Sequence, residues 1–193
     1  MHKTHGNCTY FLTLVYDRSR YTWTFLLSEK SQASTVLIQF LAYVKTQFGR
    51  VVKVLRSDHG TEFVNTTISM HLAALGVLHQ KSCVYTPQQN SIVERKHRYL
   101  LHVARTLRLH AVLPIHFWGD ALLNATYLIN RTPTRVLQGN IPFELLFNQL
   151  PLYSHLRIFG SLYFASILPK PPDKFGARAF KGVFLGYAFD HKG

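Results

Sequence analysis

The chain has 193 residues, is 47% hydrophobic, and carries 22 Lys and Arg against 9 Asp and Glu, a formal net charge of +13. This apolar content argues against a disordered chain, since it is enough to build a packed core. We expect no membrane span, no signal peptide and no disulfide scaffold, because long apolar runs are missing and only two cysteines occur. The positive charge favours a polyanionic partner, because each neutralised phosphate releases condensed counterions.

The first half of the chain predicts a hairpin followed by helices and strands in alternation. The predicted elements are strands at 9–16 and 20–27, a helix at 31–48, a strand at 51–56, a short helix at 66–75 and a strand at 76–80. The first helix is predicted from apolar residues at spacings of three and four, with Ser31 as its N-cap and Gly49 just beyond its end. The β-branched run at 51–56 is typical of an interior strand.

The second half begins with a polar loop at 81–90. Two helices, at 91–111 and 116–130, and two later strands, at 157–168 and 179–188, are predicted after it. The composition changes at Pro151, so we predict a domain at 1–150 and a small β domain in 151–193. A hairpin followed by alternating elements indicates an α/β sheet with helices packed against it.

Two acidic residues are placed where a metal site could form. Asp58 directly follows a predicted strand, and open α/β sheets bind ligands beyond the carboxyl ends of their strands. Glu94 lies in the first turn of the predicted long helix. Taken singly, Asp58 could be an ordinary turn residue and Glu94 could simply suit the helix dipole. Together they could hold Mg²⁺, which prefers oxygen ligands and keeps several waters.

Two segments carry a resemblance to a known family. Arg56–Phe63 and Tyr85–Lys96 closely resemble the catalytic core of copia-type LTR retrotransposon integrases. Further matching segments are Tyr10–Val15, Ser19–Trp23, Phe117–Trp118, Tyr127–Pro133 and His155–Gly160. The resemblance covers essentially the whole chain. Gypsy-type and retroviral integrases share the carboxylate spacing but match the Gln-Gln-Asn loop less well.

The resemblance implies a fold and a chemistry. The fold would be an α/β ribonuclease-H-like integrase core, followed by the start of a small SH3-like β domain. Asp58 resembles the second Asp and Glu94 the Glu of the family's D,D-35-E metal triad, which would bind Mg²⁺ or Mn²⁺. The family removes nucleotides from the element's 3′ ends and then joins those ends to target DNA by two-metal catalysis. The implied partners are the element ends, the target duplex and further copies of the chain, with no membrane, and the implied location is the nucleus.

The sequence departs from the family pattern at its start. The family's first Asp lies on a strand upstream of the hairpin, and this sequence has no acidic residue before Asp17. We therefore expect a core that lacks its first strand, weakened metal binding and a catalytically inactive fragment. Asp17 itself is expected to be a solvated turn residue. His59 and Ser91 stand where the family usually has an Asn-like residue and a Gly.

Several polar and basic residues are candidates for contacting DNA. The loop candidates are Gln88, Gln89 and Asn90, and the helix candidates, on one face after Glu94, are Arg95, Arg98, His102 and Arg105. A second basic patch comprises Lys170, Lys174, Arg178 and Lys181. Each set could instead be ordinary solvated surface. The alternatives to an integrase are a residual non-catalytic nucleic-acid-binding module, an unstable pseudogene product, and a ribonuclease H, which is disfavoured because it also needs the first carboxylate.

Overall fold

A computed structural model describes residues 2–58, 60–81, 91–167 and 175–187 of the chain. Within these ranges the chain has a mixed α/β architecture. Its strands are β1 (Tyr10–Val15), β2 (Thr22–Leu27), β3 (Val54–Ser57), β4 (Leu78–Lys81), β5 (Leu162–Ser166) and β6 (Ala179–Val183). Its α-helices are α1 (Gln32–Phe48), α2 (Thr66–Ala74), α3 (Ser91–His110), α4 (Trp118–Asn130) and α5 (Pro142–Phe147). None of the helices in these ranges is long and apolar enough to cross a membrane.

The described strands pair as three separate two-stranded sheets. β1 pairs with β2, β3 pairs with β4, and β5 pairs with β6. The β3–β4 pair is parallel, with Val54 opposite Leu78 and Ser57 opposite Lys81. Parallel neighbours need a crossover connection, and α2 supplies it between these strands. The predicted hairpin and alternation of helices and strands are confirmed, but the described strands form three small sheets rather than one.

The chain divides into two compact units. One combines the residues up to Val15 with Trp23–Tyr99, and the other combines Tyr16–Thr22 with the residues from Leu100 onward. α3 is a single helix whose first half belongs to the first unit and whose second half belongs to the second. The division at residue 150 concerns family domains and stays a prediction.

The core of the first unit lies between α1, α2 and the strands. One cluster is formed by Leu37 and Leu41 of α1, Ile68 and Leu72 of α2, and Val77, all buried. A neighbouring cluster joins the hairpin to α1 and consists of Leu12, Leu27 and Ala33. Fully burying one such Leu or Ile side chain contributes about 1.5–3 kcal/mol, so these clusters stabilise the unit that carries Asp58.

The second unit is organised around α4, which is buried on most of its surface. Its Asn130 holds the start of β2, because Asn130 Oδ1 accepts from the Thr22 N–H at 2.9 Å and Asn130 Nδ2 donates to the Thr22 C=O at 2.7 Å. Arg131 lies over the ring of Tyr127, with 3.5 Å from its guanidinium carbon to the ring centroid. Tyr187 stacks on Tyr127 at 4.1 Å between centroids, which ties the end of the described chain to α4.

The ends of α1 give one confirmation and one correction. Gly49 follows α1 in the left-handed conformation, with φ of 59°, as predicted. Ser31 is not a side-chain cap: its backbone is helical and it makes no capping hydrogen bond. Its hydroxyl donates to Glu29 Oε2 at 3.1 Å instead. Gln32 bonds backward, its Oε1 accepting from the Ser28 N–H at 2.9 Å.

The strand predictions for the middle and the end of the chain need correction. β3 begins at Val54 rather than at residue 51, and within the described part of the chain it is an edge strand and not an interior one. Val54 is 45% exposed, and among the described residues β3 has a partner on one side only; Val51, which precedes the strand, is 51% exposed. The later strands are also shorter than predicted, since β5 runs from Leu162 to Ser166 and β6 ends at Val183. α5 was not predicted.

Candidate functional site

Asp58 lies at the carboxyl end of β3, beside the end of β4. It directly follows Ser57, the last residue of β3, which is opposite Lys81 in the parallel register. Its carboxylate is exposed, and Oδ1 accepts a hydrogen bond from the Gly60 N–H at 3.1 Å. This local turn holds the carboxylate close to the main chain, as is common for Asp beyond a strand. The predicted position of Asp58 at a strand end is confirmed.

A second carboxylate, that of Glu62, lies next to Asp58. A Cβ atom added to Gly60 would lie 2.8 Å from the carboxyl carbon of Glu62 and 3.1 Å from Asp58 Oδ1. Gly60 is therefore the residue that leaves room for both acidic side chains. Glu62 was not singled out from the sequence, although it lies four residues after Asp58 in the segment that resembles the integrase family.

Hydrogen bonds from α1 and α2 fix the main chain at Glu62. The Ser34 hydroxyl donates to the Glu62 C=O at 2.6 Å, and Asn65 Nδ2 donates to the same oxygen at 3.1 Å. Asn65 also caps α2, since its Oδ1 accepts from the Ile68 N–H at 2.9 Å. A polar cleft of about 400 Å³ lies against this loop, lined by Lys30, Ser31, Ser34, Thr61, Glu62 and Asn65.

On the other side of Asp58, a buried serine links β3 to β4. Ser57 is 8% exposed, and its hydroxyl donates to the Asp58 C=O at 2.9 Å. The same hydroxyl oxygen lies 2.9 Å from Nε2 of His79, a residue of β4. Burial lowers the pKa of His79, and the positive charge of Lys81 lowers it further. The main chain at Asp58 is thus joined by side chains to the neighbouring strand.

Glu94 lies in the first turn of α3, as predicted, and its side chain is exposed. The beginning of α3 packs on the hairpin, where the rings of His97 and Phe11 have centroids 4.6 Å apart. Burial in this contact lowers the pKa of His97. Asp58 and Glu94 are therefore exposed carboxylates of the same compact unit. Among the described residues, no group of three or more His, Cys, Asp or Glu side chains is placed to hold a metal ion.

The predicted DNA-contacting residues of α3 are all exposed. Arg95 and Arg98 follow Glu94 in the first unit, whereas His102 and Arg105 lie on the half of α3 that belongs to the second unit. Their spacing of three, four and three residues places them along one side of the helix. Gln88, Gln89 and Asn90 lie outside the described residues.

The other basic and acidic candidates are placed as follows. Arg178 and Lys181 are exposed on and beside β6, while Lys170 and Lys174 lie outside the described ranges. Asp17 is a turn residue whose side chain is 76% exposed, and its Oδ1 lies 2.6 Å from an Arg20 guanidinium nitrogen. The interpretation of Asp17 as a solvated turn residue agrees with this geometry.

Comparison with known proteins finds similarity to integrase sequences. The model of the family described as "Integrase core domain" matches residues 1–87. The chain is 35% identical, over 97% of its length, to the "Retrovirus-related Pol polyprotein from transposon TNT 1-94" of Nicotiana tabacum. It is 36% identical over 96% and 94% of its length to the "Retrovirus-related Pol polyprotein" from transposons RE1 and RE2 of Arabidopsis thaliana.

The aligned region is a small part of these relatives. The chain spans 14% of the length of the tobacco polyprotein and 12% of each Arabidopsis one. The resemblance to copia-type integrases that the sequence motifs carried is confirmed by these matches. Residues 1–87 are thus similar to the integrase core domain family, and the chain is similar over nearly its whole length to a segment of retrotransposon Pol polyproteins.

Proposed function

We propose that the chain is a copia-type integrase core whose function is DNA integration, the joining of polynucleotide 3′ ends to a target duplex. The observation that carries this proposal is similarity to retrotransposon polyproteins over 97% of the chain. The position of Asp58 supports it, since ligands of open α/β proteins bind beyond the carboxyl ends of strands. The mixed α/β architecture, with the β1–β2 pair and the parallel β3–β4 pair connected through α2, is consistent with a ribonuclease-H-like core.

Asp58 and Glu94 would hold the divalent cation, Mg²⁺ or Mn²⁺. Both side chains are exposed carboxylates of one unit, and oxygen ligands of this kind suit a hard cation that keeps several of its waters. When bound, such cations activate an attacking water or hydroxyl and stabilise the leaving oxygen. We propose that these two carboxylates are both needed for the chain to bind the cation.

DNA would run along the exposed side of α3 that carries Arg95, Arg98, His102 and Arg105. Their charges would meet phosphates beyond Glu94, and the amide side chains of Gln88, Gln89 and Asn90 would contact sugar or bases. Phosphate contacts of this kind position a duplex with little choice of sequence. The start of an SH3-like β domain in 151–193, assembly with further copies and a nuclear location are parts of the same proposal.

A joining assay and a metal-binding assay with the purified chain test this function. We expect Mn²⁺ binding that Asp58→Asn and Glu94→Gln each weaken. Glu29→Gln is the matched control, because Glu29 is an exposed acid whose carboxylate is bonded to Ser31. Metal-dependent joining of DNA ends that disappears in Glu94→Gln would support the proposed function directly. Equal Mn²⁺ binding by all four proteins would overturn the metal site.

A non-catalytic DNA-binding module is the second candidate, favoured by the net charge of +13 and the exposed basic side of α3. It predicts that the chain binds any duplex at low salt. This binding should not depend on Mn²⁺, and substitution of Asp58 or Glu94 should not change it. Fluorescence anisotropy with unrelated duplexes, with and without Mn²⁺, separates the two candidates. An absence of DNA binding at low salt would exclude both the module and the proposed DNA path.

A further inference from the structure

The link between β3 and β4 beside Asp58 has a definite geometry. Leu55 is opposite His79 in the parallel register, and alternate residues of a strand project to the same face. Ser57 and His79 therefore project from neighbouring strands to one face, where Ser57 Oγ and His79 Nε2 lie 2.9 Å apart. Ser57 is buried, so this contact is shielded from competition by bulk water.

The single hydroxyl proton of Ser57 decides which atom donates in this contact. A serine hydroxyl has one proton to donate and two lone pairs that accept. Ser57 donates that proton to the Asp58 C=O at 2.9 Å. The contact with His79 can then be a hydrogen bond only if Nε2 of His79 carries a proton and donates it to Ser57 Oγ. Burial lowers the pKa of His79, which favours the neutral ring with this one proton.

We propose that His79 and Ser57 act as a positioning pair for Asp58, with His79 Nε2–H donating to Ser57 and Ser57 donating to the Asp58 main chain. Neither residue would touch the cation. The pair fixes the main chain of Asp58, while the Gly60 N–H fixes its carboxylate. A side chain that is already fixed before it binds a cation loses less conformational freedom on binding. Groups that orient metal-binding side chains therefore increase the affinity for the cation. This inference rests on the proposed role of Asp58 as a metal ligand.

The tautomer of His79 gives a test that needs no metal and no activity. Long-range ¹⁵N–¹H NMR on the chain labelled at histidine should show His79 protonated at Nε2 and unprotonated at Nδ1 at neutral pH. Ser57→Ala should remove the acceptor and change the His79 ring signals, while those of His110, an exposed residue at the end of α3, stay constant. A His79 ring protonated at Nδ1 alone in the unsubstituted chain would overturn the proposed bond.

Mn²⁺ affinity, measured by electron paramagnetic resonance, tests the positioning itself. His79→Leu and Ser57→Ala should each weaken binding by about tenfold, the lower end of the effect seen when groups that orient metal ligands are removed. The double variant should be no weaker than either single one, since both break the same chain of bonds. His79→Gln keeps an N–H donor and should restore affinity to within about twofold, whereas His110→Gln should change nothing.

Two outcomes separate this inference from the proposed function. If Asp58→Asn leaves Mn²⁺ binding unchanged, the metal role of Asp58 fails and the positioning role fails with it. If Asp58→Asn weakens binding but His79→Leu, still folded by its thermal transition, does not, the metal role stands and the positioning pair is refuted. A His79→Gln variant as weak as His79→Leu would also refute it, because a donor at that position would then make no difference.

Discussion

Replacement of Asn130 by Ala should be among the most damaging single changes in the chain. The Asn130 side chain is 1% exposed and makes both of its amide hydrogen bonds to Thr22, a residue that is also 1% exposed. Ala removes both partners at once and leaves the N–H and the C=O of Thr22 buried without them. Each such group costs about 1–3 kcal/mol, so the free energy of unfolding should fall by about 2–6 kcal/mol. That is a large part of the roughly 5–15 kcal/mol by which a typical domain is stable.

Urea unfolding followed by circular dichroism, with linear extrapolation to water, measures this loss. Asn140→Ala is the matched control, because the Asn140 side chain is exposed and donates a local hydrogen bond to the nearby Leu137 C=O. It should change stability by less than about 0.5 kcal/mol, as exposed substitutions usually do. A loss in Asn130→Ala no larger than in the control would refute the reasoning. A chain with no cooperative transition at all would instead support the interpretation as an unstable pseudogene product.

Three further outcomes follow from the site. Burial lowers the pKa of His97 in the folded chain, so the unfolded chain, with a pKa near 6.5, takes up this proton first as the pH falls. The free energy of unfolding should therefore decrease from about pH 6.5 downward. Urea unfolding at pH 7.5 and 5.5 should show a smaller decrease in His97→Phe than in the unsubstituted chain. Gly60→Ala should lower the free energy of unfolding only slightly, because the new Cβ would meet the flexible end of the Glu62 side chain at 2.8 Å, and Glu62→Ala should remove that cost in a double-mutant cycle. Replacing Arg95 and Arg98 together by Ala should reduce the slope of log binding constant against log salt by roughly two, measured by anisotropy, whereas Lys45→Ala should not change it.

The elements that the sequence predicted well are those set by local rules. The spacing of apolar residues predicted α1 and α3, and a glycine at position 49 predicted where α1 ends because only a left-handed residue fits there. The prediction that Ser31 caps α1 was wrong for a reason outside those rules. The Oε1 atom of its neighbour Gln32 accepts hydrogen bonds from the Ser28 and Glu29 N–H groups, so the chain before α1 is fixed without a serine cap. A propensity for capping cannot tell which of two adjacent polar residues will make the bonds.

The exposure of β3 was mispredicted because it depends on neighbours rather than on composition. The β-branched run at 51–56 is the pattern of a strand covered on both faces, yet Val54 is 45% exposed. Whether such a run is covered depends on which strands lie beside it, and the described residues provide only β4. The β-branched run at 51–56 therefore leads to β3, a strand that among the described residues pairs only with β4.

Around Asp58, too, the features set by neighbouring residues in the sequence were predictable, and those set by distant residues were not. Its place at a strand end follows from the sequence, since the apolar run stops there and a glycine follows at position 60. The residues that hold it come from elsewhere: Glu62 approaches across Gly60, and His79 reaches Ser57 from the parallel strand. Histidine on a short strand has no periodic signature, and its partner is decided by the register of two strands joined through α2. A carboxylate can therefore be located from sequence, but the groups that orient it emerge only when β3 and β4 are paired, and substitution of His79 is for this reason the most informative change near the site.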